Sequence, residues 1–182
     1  TTGFSTVGYT DWKPIGIHVL IMLMTIGGGI CSTAGGLKQL RVAILVKAAL
    51  KETRRLRSPR NAVLIGRISV GEDETPLSDR TVADAGAFAF FYFAALGIGT
   101  GILVASGFAF MPSVFEFASA LGTVGLSVGV TSASAPDAAL WGMTFGMFMG
   151  RLEFFVIFAS LSYVGRRIVG AAGKRLSRIV GR

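Results

Sequence analysis

Two short segments hold the residues best suited to chemistry. Thr1-Thr2-Gly3-Phe4-Ser5 opens the chain, and Thr123-Val124-Gly125-Leu126-Ser127 repeats its pattern much later. Each is followed by a long apolar stretch. A glycine between hydroxyl and apolar residues lets the backbone adopt dihedrals that turn C=O groups inward. A ring of such oxygens replaces the hydration shell of a cation. The chemistry expected of these ten residues is therefore ion coordination at backbone carbonyls, with no organic cofactor. Single glycines, rather than a TVGYG run, imply a short ion column.

Other chemistries find little support. No paired carboxylates, Ser/His/Asp set or metal-ligand cluster stands out, so the chain does not read as an enzyme. Cys31 is the single cysteine, which excludes an internal disulfide and a thiolate zinc site and reads as a small packing residue. Gly27-Gly28-Gly29-Ile30-Cys31-Ser32-Thr33-Ala34-Gly35-Gly36 superficially suggests a phosphate loop. However, Lys38 is separated from Gly36 by Leu37 and followed by Gln39, so the P-loop pattern fails.

The elements that must position these segments are membrane elements. The chain of 182 residues is 52% hydrophobic and 15% charged, with 25 glycines; its mean hydropathy is +0.64. That exceeds the apolar content of an ordinary soluble domain. Residues 1–8 read as the end of a re-entrant loop and 9–13 as an outer interface carrying Trp12. An apolar helix is expected over 14–26, with Pro14 tolerated in its first turn. The glycine-rich break follows, and helix resumes near Leu37, turning basic and amphipathic through Lys51. Residues 52–84 form a polar connection with a hairpin near Ile65–Val70. Residues 85–107 are long enough to span a bilayer. Residues 112–122 are too short to do so and fit a pore helix. Residues 138–165 form the last span.

The formal charge is +8. Its placement, in 38–84 and in a basic tail over 166–182, follows the positive-inside rule and puts both regions in the cytoplasm. Nucleic acid is not an expected partner, because no aromatic residues interleave the charges. Lys51–Arg60 reads as a solvated face or as a contact for anionic lipid or a partner. The chain starts within a motif whose pore helix is expected upstream. It therefore reads as the C-terminal part of a longer, multi-pass plasma-membrane protein.

Aligning Gly3 with Gly125 gives two copies of one unit: 1–51 as the end of one helix–pore loop–helix repeat and 85–165 as a whole one. The alignment sets Gly28 against Gly150 and Gly29 against Arg151. A broken helix and a charge at one depth belong beside a water-filled cavity. Gly27, Gly28, Gly29, Ser32, Thr33, Gly35, Gly36 and Arg151 are thus candidate gate residues. Arg151 reads as a buried barrier charge or as a structural arginine paired with Glu153 or a carbonyl. Glu116, in the pore helix, reads as a filter brace ahead of a cation attractor. His18, Trp141 and Tyr163 read as structural or interfacial.

These residues resemble the Trk/Ktr/HKT superfamily of potassium transporters, most closely the Trk-type membrane subunit of bacteria and archaea. The resemblance runs through TTGFST, GGGICSTAGGLKQLRV, SALGTVGLSVG and MGRLE in order. It implies an all-α membrane protein with four such repeats around a potassium-channel-like pore, the end of the third and all of the fourth being present. It also implies one filter glycine per repeat, here Gly3 and Gly125, an intramembrane gating loop over Gly27–Gly36, and Arg151 beneath the filter. Expected partners are the lipid bilayer, a second copy in a homodimer and a cytosolic nucleotide-binding regulatory subunit. The function implied is potassium uptake. The rivals are a sodium-permeable or cation-coupled member of the superfamily and an inactive membrane fragment.

Overall fold

The computed structural model describes residues 2–6, 8–9, 12–29, 32–57, 59, 66–70, 73–132, 135–152 and 163. Expectations for Thr1, Cys31, Glu153, the start of the expected hairpin, most of 153–165 and the tail fall outside these residues. Helix α1 (Pro14–Ile26) begins with proline at its first position, where the missing N–H costs nothing. Its end is Gly27, whose φ of 71° no longer continues the helix. Helix α2 (Gln39–Arg57) runs six residues past Lys51. The physical reason is that Glu52-Thr53-Arg54-Arg55-Leu56-Arg57 contains no breaker, and its arginines suit the negative end of the helix dipole.

Strands β1 (Arg67–Val70) and β2 (Asp73–Pro76) pair antiparallel, with Ile68 opposite Thr75. The chain is therefore mostly helical rather than wholly so. The hairpin survives because Ile68 is buried with Ile44, Leu77 and Ala85 between α2 and the next helix. That helix, α3 (Asp79–Ala105), starts six residues earlier than hydropathy alone suggests. Ser78 caps it by accepting a hydrogen bond from the Thr81 N–H at 3.1 Å. Among the described residues it alone is both long and apolar enough to cross a membrane. Helices α4 (Phe110–Leu121) and α5 (Asp137–Leu152) complete the order.

α4 is the packing centre. With 12 residues it extends about 18 Å, well short of a bilayer. Seven consecutive residues, Phe115 to Leu121, are buried, so it is covered on every side. Met24 of α1 packs on Phe115 and Ala118, while Phe88, Tyr92 and Leu103 of α3 and Met143 of α5 join Phe117 and Leu121. Phe117 reaches into two notches: a Cβ on Gly99 or Gly146 would fall 1.9 or 2.8 Å from its ring. On the α2 side, the Arg41 guanidinium lies 3.9 Å from the centre of the Phe88 ring, a cation–π contact that ties the two helices together.

α5 approaches α4 closely at Gly150, where an added Cβ would lie 1.9 Å from the Leu121 carbonyl oxygen. Backbone on that side cannot yield as a flexible side chain does. Gly150→Ala is expected to destabilise the protein by about 2–3 kcal/mol. The check is the melting temperature of the purified full-length protein. Gly101→Ala, where nothing lies within 4 Å of the added Cβ, serves as the unchanged control.

Candidate functional site

The two Thr/Gly segments meet in space. Gly3 and Gly125 both hold left-handed backbones, with φ of 71° and 90°. A Cβ on Gly3 would lie 2.9 Å from the Val124 carbonyl oxygen and 3.3 Å from Gly125 Cα. Non-glycine residues would be strained at both positions. Around them, Thr2, Phe4, Ser5, Gly125 and Ser127 are exposed, Phe4 at 91%, while Val124 and Leu126 are half-buried. On one side of the pair lies a depression of about 330 Å³ lined by Gly3, Ser5, Tyr9 and Ser127. A larger cavity of about 800 Å³ is lined by Gly125, Thr123, Ser119, Thr33, Phe148 and Arg151.

The second segment is fixed at both ends. At its start, the Thr123 N–H donates to Ala120 O at 3.0 Å and the Val124 N–H to Ser119 O at 2.9 Å. These are the two bonds of a Schellman cap. Its left-handed position is occupied by Thr123, φ 52°, where glycine is usual. A β-branched residue there costs about 1–2 kcal/mol. At the other end, Glu116, 1% exposed, takes hydrogen bonds from four donors. They are Ser127 Oγ at 2.5 Å, Val128 N at 2.9 Å, Thr131 N at 2.9 Å and the Thr131 hydroxyl. A buried carboxyl group so fully partnered serves as a brace and gives no open cation site.

The glycine-rich break folds into a loop with a narrow neck. Leu37 N–H donates to Thr25 O at 3.0 Å and Gln39 N–H to Gly28 O at 3.1 Å. A Cβ on Gly27 would fall 2.2 Å from Gly35 O. Ala34, Gly35, Gly36 and Leu37 are buried, whereas Gly29, Ser32 and Thr33 are exposed. Ser32 Oγ donates to Gly29 O at 2.8 Å within the tip. Among the described residues, two of the loop's bonds reach Thr123 and α5. Gly35 N–H donates to Thr123 Oγ1 at 3.0 Å, and the Arg151 guanidinium donates to the Thr33 carbonyl. Gly35 also lies against the end of α4, where a Cβ would meet Gly122 and Leu121 backbone at 2.9 Å.

Arg151 lies on the wall of the cavity and is exposed in this part of the protein. The hydrophobic run around it is lined up along α5, but the guanidinium opens into the cavity and meets a carbonyl. The carbonyl partner was one of the alternatives read from sequence. The alignment puts Arg151 at the depth of Gly29, and the carbonyl it meets is that of Thr33, in the same loop. His18 Nδ1 sits 2.7 Å from Pro14 O within its own helix, a structural role. Sequence reasoning missed Thr131 and the side chain of Thr123. The only advance signal for Thr131 was a second hydroxyl residue shortly after Ser127.

Residues 1–163 match the TrkH family of cation transport proteins. The chain is 29% identical over 172 residues to an uncharacterized cation transporter of Methanocaldococcus jannaschii, covering 93% of this chain and 35% of that one. It is 32% identical to the Trk system potassium uptake protein TrkH of Vibrio parahaemolyticus over 89% of this chain and 33% of the relative. With TrkG of Escherichia coli the identity is 30%, over 85% and 32%. The crystal structure of the potassium transporter TrkH from Vibrio parahaemolyticus superposes with a TM-score of 0.73 at 30% identity, over 87% of this chain and 34% of that one. The chain thus spans about a third of the length of these relatives. It belongs to the TrkH cation transport family, whose members are membrane transporters.

Glu116→Gln replaces one acceptor oxygen by an amide that faces donors. Lost bonds of this kind are worth about 1.5–3 kcal/mol when the acceptor is charged. The full-length protein carrying it is expected to lose about that much stability, read as a lowered melting temperature of the purified protein. Thr131→Val, which removes one of the four donors, is expected to lose less.

Proposed function

We propose that this TrkH-family chain forms part of a potassium uptake pathway through the plasma membrane, with Gly3 and Gly125 in its ion filter. The observation that carries the reading is the meeting of the two segments, both glycines left-handed, above a cavity of about 800 Å³. Thr1, Thr2, Phe4 and Ser5, with Thr123, Val124, Leu126 and Ser127, complete the filter segments. A potassium ion sheds water there onto backbone carbonyls. The exposure of these residues on one face suits a pore to which further repeats contribute, as the four-repeat architecture requires.

On this reading the C-terminal end of α4, whose Ser119 and Ala120 line the cavity, sets the negative end of its helix dipole beside it. That field favours a dehydrated cation just below the filter. The Gly27–Gly36 loop lies across the route beyond, and its exposed tip moves aside for ions to pass. Arg151 supplies a positive charge on the same wall and limits how long a cation dwells there. The basic C-terminal turn of α2, with Arg54, Arg55 and Arg57, offers the cytosolic surface for a regulatory subunit. The similarity to Trk system potassium uptake proteins supports potassium as the cargo.

Gly125→Ser is expected to lower the rubidium-over-sodium uptake ratio by about tenfold in potassium-uptake-deficient cells. An unchanged ratio would remove Gly125 from the filter. Arg151→Ala is expected to raise rubidium flux severalfold at equal membrane abundance; unchanged flux defeats the barrier role.

A further inference from the structure

Thr123 is costly where it stands. The left-handed position of a helix cap favours glycine, and a β-branched side chain there is an outlier. Such outliers persist where the surroundings need the side chain. The one polar side-chain atom that glycine could not supply is Oγ1, and that atom accepts the Gly35 N–H at 3.0 Å. Gly35 is buried against the end of α4. The donor belongs to the loop and the acceptor to the first residue of the second filter segment.

We infer that the Thr123 hydroxyl is a positioning group that couples the filter to the loop, holding the loop shut through Gly35. The inference deepens the filter-and-gate reading above and rests on it. When the loop withdraws, a buried N–H loses its acceptor, and that loss opposes opening. The hold is shared with Arg151, which grips the Thr33 carbonyl two residues away. Releasing one bond loosens the short segment between them, so the second bond holds less firmly. The coupling is reciprocal: a loop position that strains Thr123 also shifts the Schellman cap from which the filter departs.

The test compares Thr123→Ala with Thr123→Ser in the full-length protein. The two residues bear similar backbone strain and differ in the hydroxyl. Rubidium uptake, the rubidium-over-sodium ratio and membrane abundance are measured, each variant also in the Arg151→Ala background. The expected result is uptake raised about three- to tenfold by alanine, as the loss of one net hydrogen bond predicts. Serine stays within about twofold of the parent. In the Arg151→Ala background the increase from alanine is smaller than in the parent. Should the alanine variant fail to reach the membrane, Thr123→Gly replaces it, since glycine suits the cap and also lacks the hydroxyl.

Equal or reduced uptake in the alanine and glycine variants overturns the inference. So does a full, independent multiplication of the Thr123 and Arg151 effects. A changed ion ratio at unchanged flux also overturns it, because the hydroxyl would then be an ion ligand. The filter reading fails separately, through an unchanged ratio in Gly125→Ser, whatever the alanine–serine contrast in flux.

Discussion

Backbone groups that end inside a membrane protein must find partners within the protein, because hydrocarbon offers none. Two helix ends in this structure face that demand together. α1 stops at Ile26 and α4 at Leu121, and each meets the other's terminus. A Cβ on Gly122 would lie 2.9 Å from Met24 O, and one on Gly35 would lie 2.9 Å from Leu121 O. Gly150 lets α5 reach the same carbonyl. The described end of the loop returns Leu37 N–H to Thr25 O. The second Thr/Gly segment, the loop and α5 are therefore organised around one junction of backbone with backbone. Glycine is needed there for close approach more than for flexibility.

From this junction the second Thr/Gly segment departs in a defined direction. The Schellman bonds of Thr123 and Val124 set its start, and Glu116 gathers Ser127, Val128 and Thr131 to set its end. Both anchors belong to α4, so the segment is strung along a single rigid helix. The helix is itself clamped by Phe117 in the notches of Gly99 and Gly146. Carbonyl geometry in a segment so held resists relaxation around a smaller ion. On the proposed reading, that resistance is what a discriminating filter needs when field strength and cavity size both contribute.

The sequence made the pairing of the two Gly segments and most of the helices legible because their signals are local. The duplicated Gly motif and the length of the apolar runs each follow from a few neighbouring residues. α1 begins and ends where Pro14 and Gly27 say it should. Glu116 was readable as a brace because a lone acid in a short apolar helix needs partners. The boundaries of α2 and α3 were less legible: hydropathy marks where a bilayer begins, whereas capping by Ser78 and the breaker-free run to Arg57 mark where helix begins and ends. The left-handed Thr123 and its bond to a residue 88 positions away left no trace in composition or spacing. The cavity beside Arg151 was legible from the alignment with Gly29, but its bond to the Thr33 carbonyl was not.

On the proposed reading, steric and electrostatic control are not separate devices. A cation leaving the filter meets the negative end of α4 first and the Arg151 charge next, on the wall of one cavity. The guanidinium is fixed in place by a carbonyl of the loop itself. Any movement that carries Thr33 out of the route also removes the anchor of the charge. A guanidinium freed on a long side chain then swings into water, where its field is strongly screened. Opening the path and lowering the barrier are in this way one event. The arrangement explains why a charge on one repeat faces a glycine-rich break on the other: the charge needs a mobile partner, and the loop needs a fixed one.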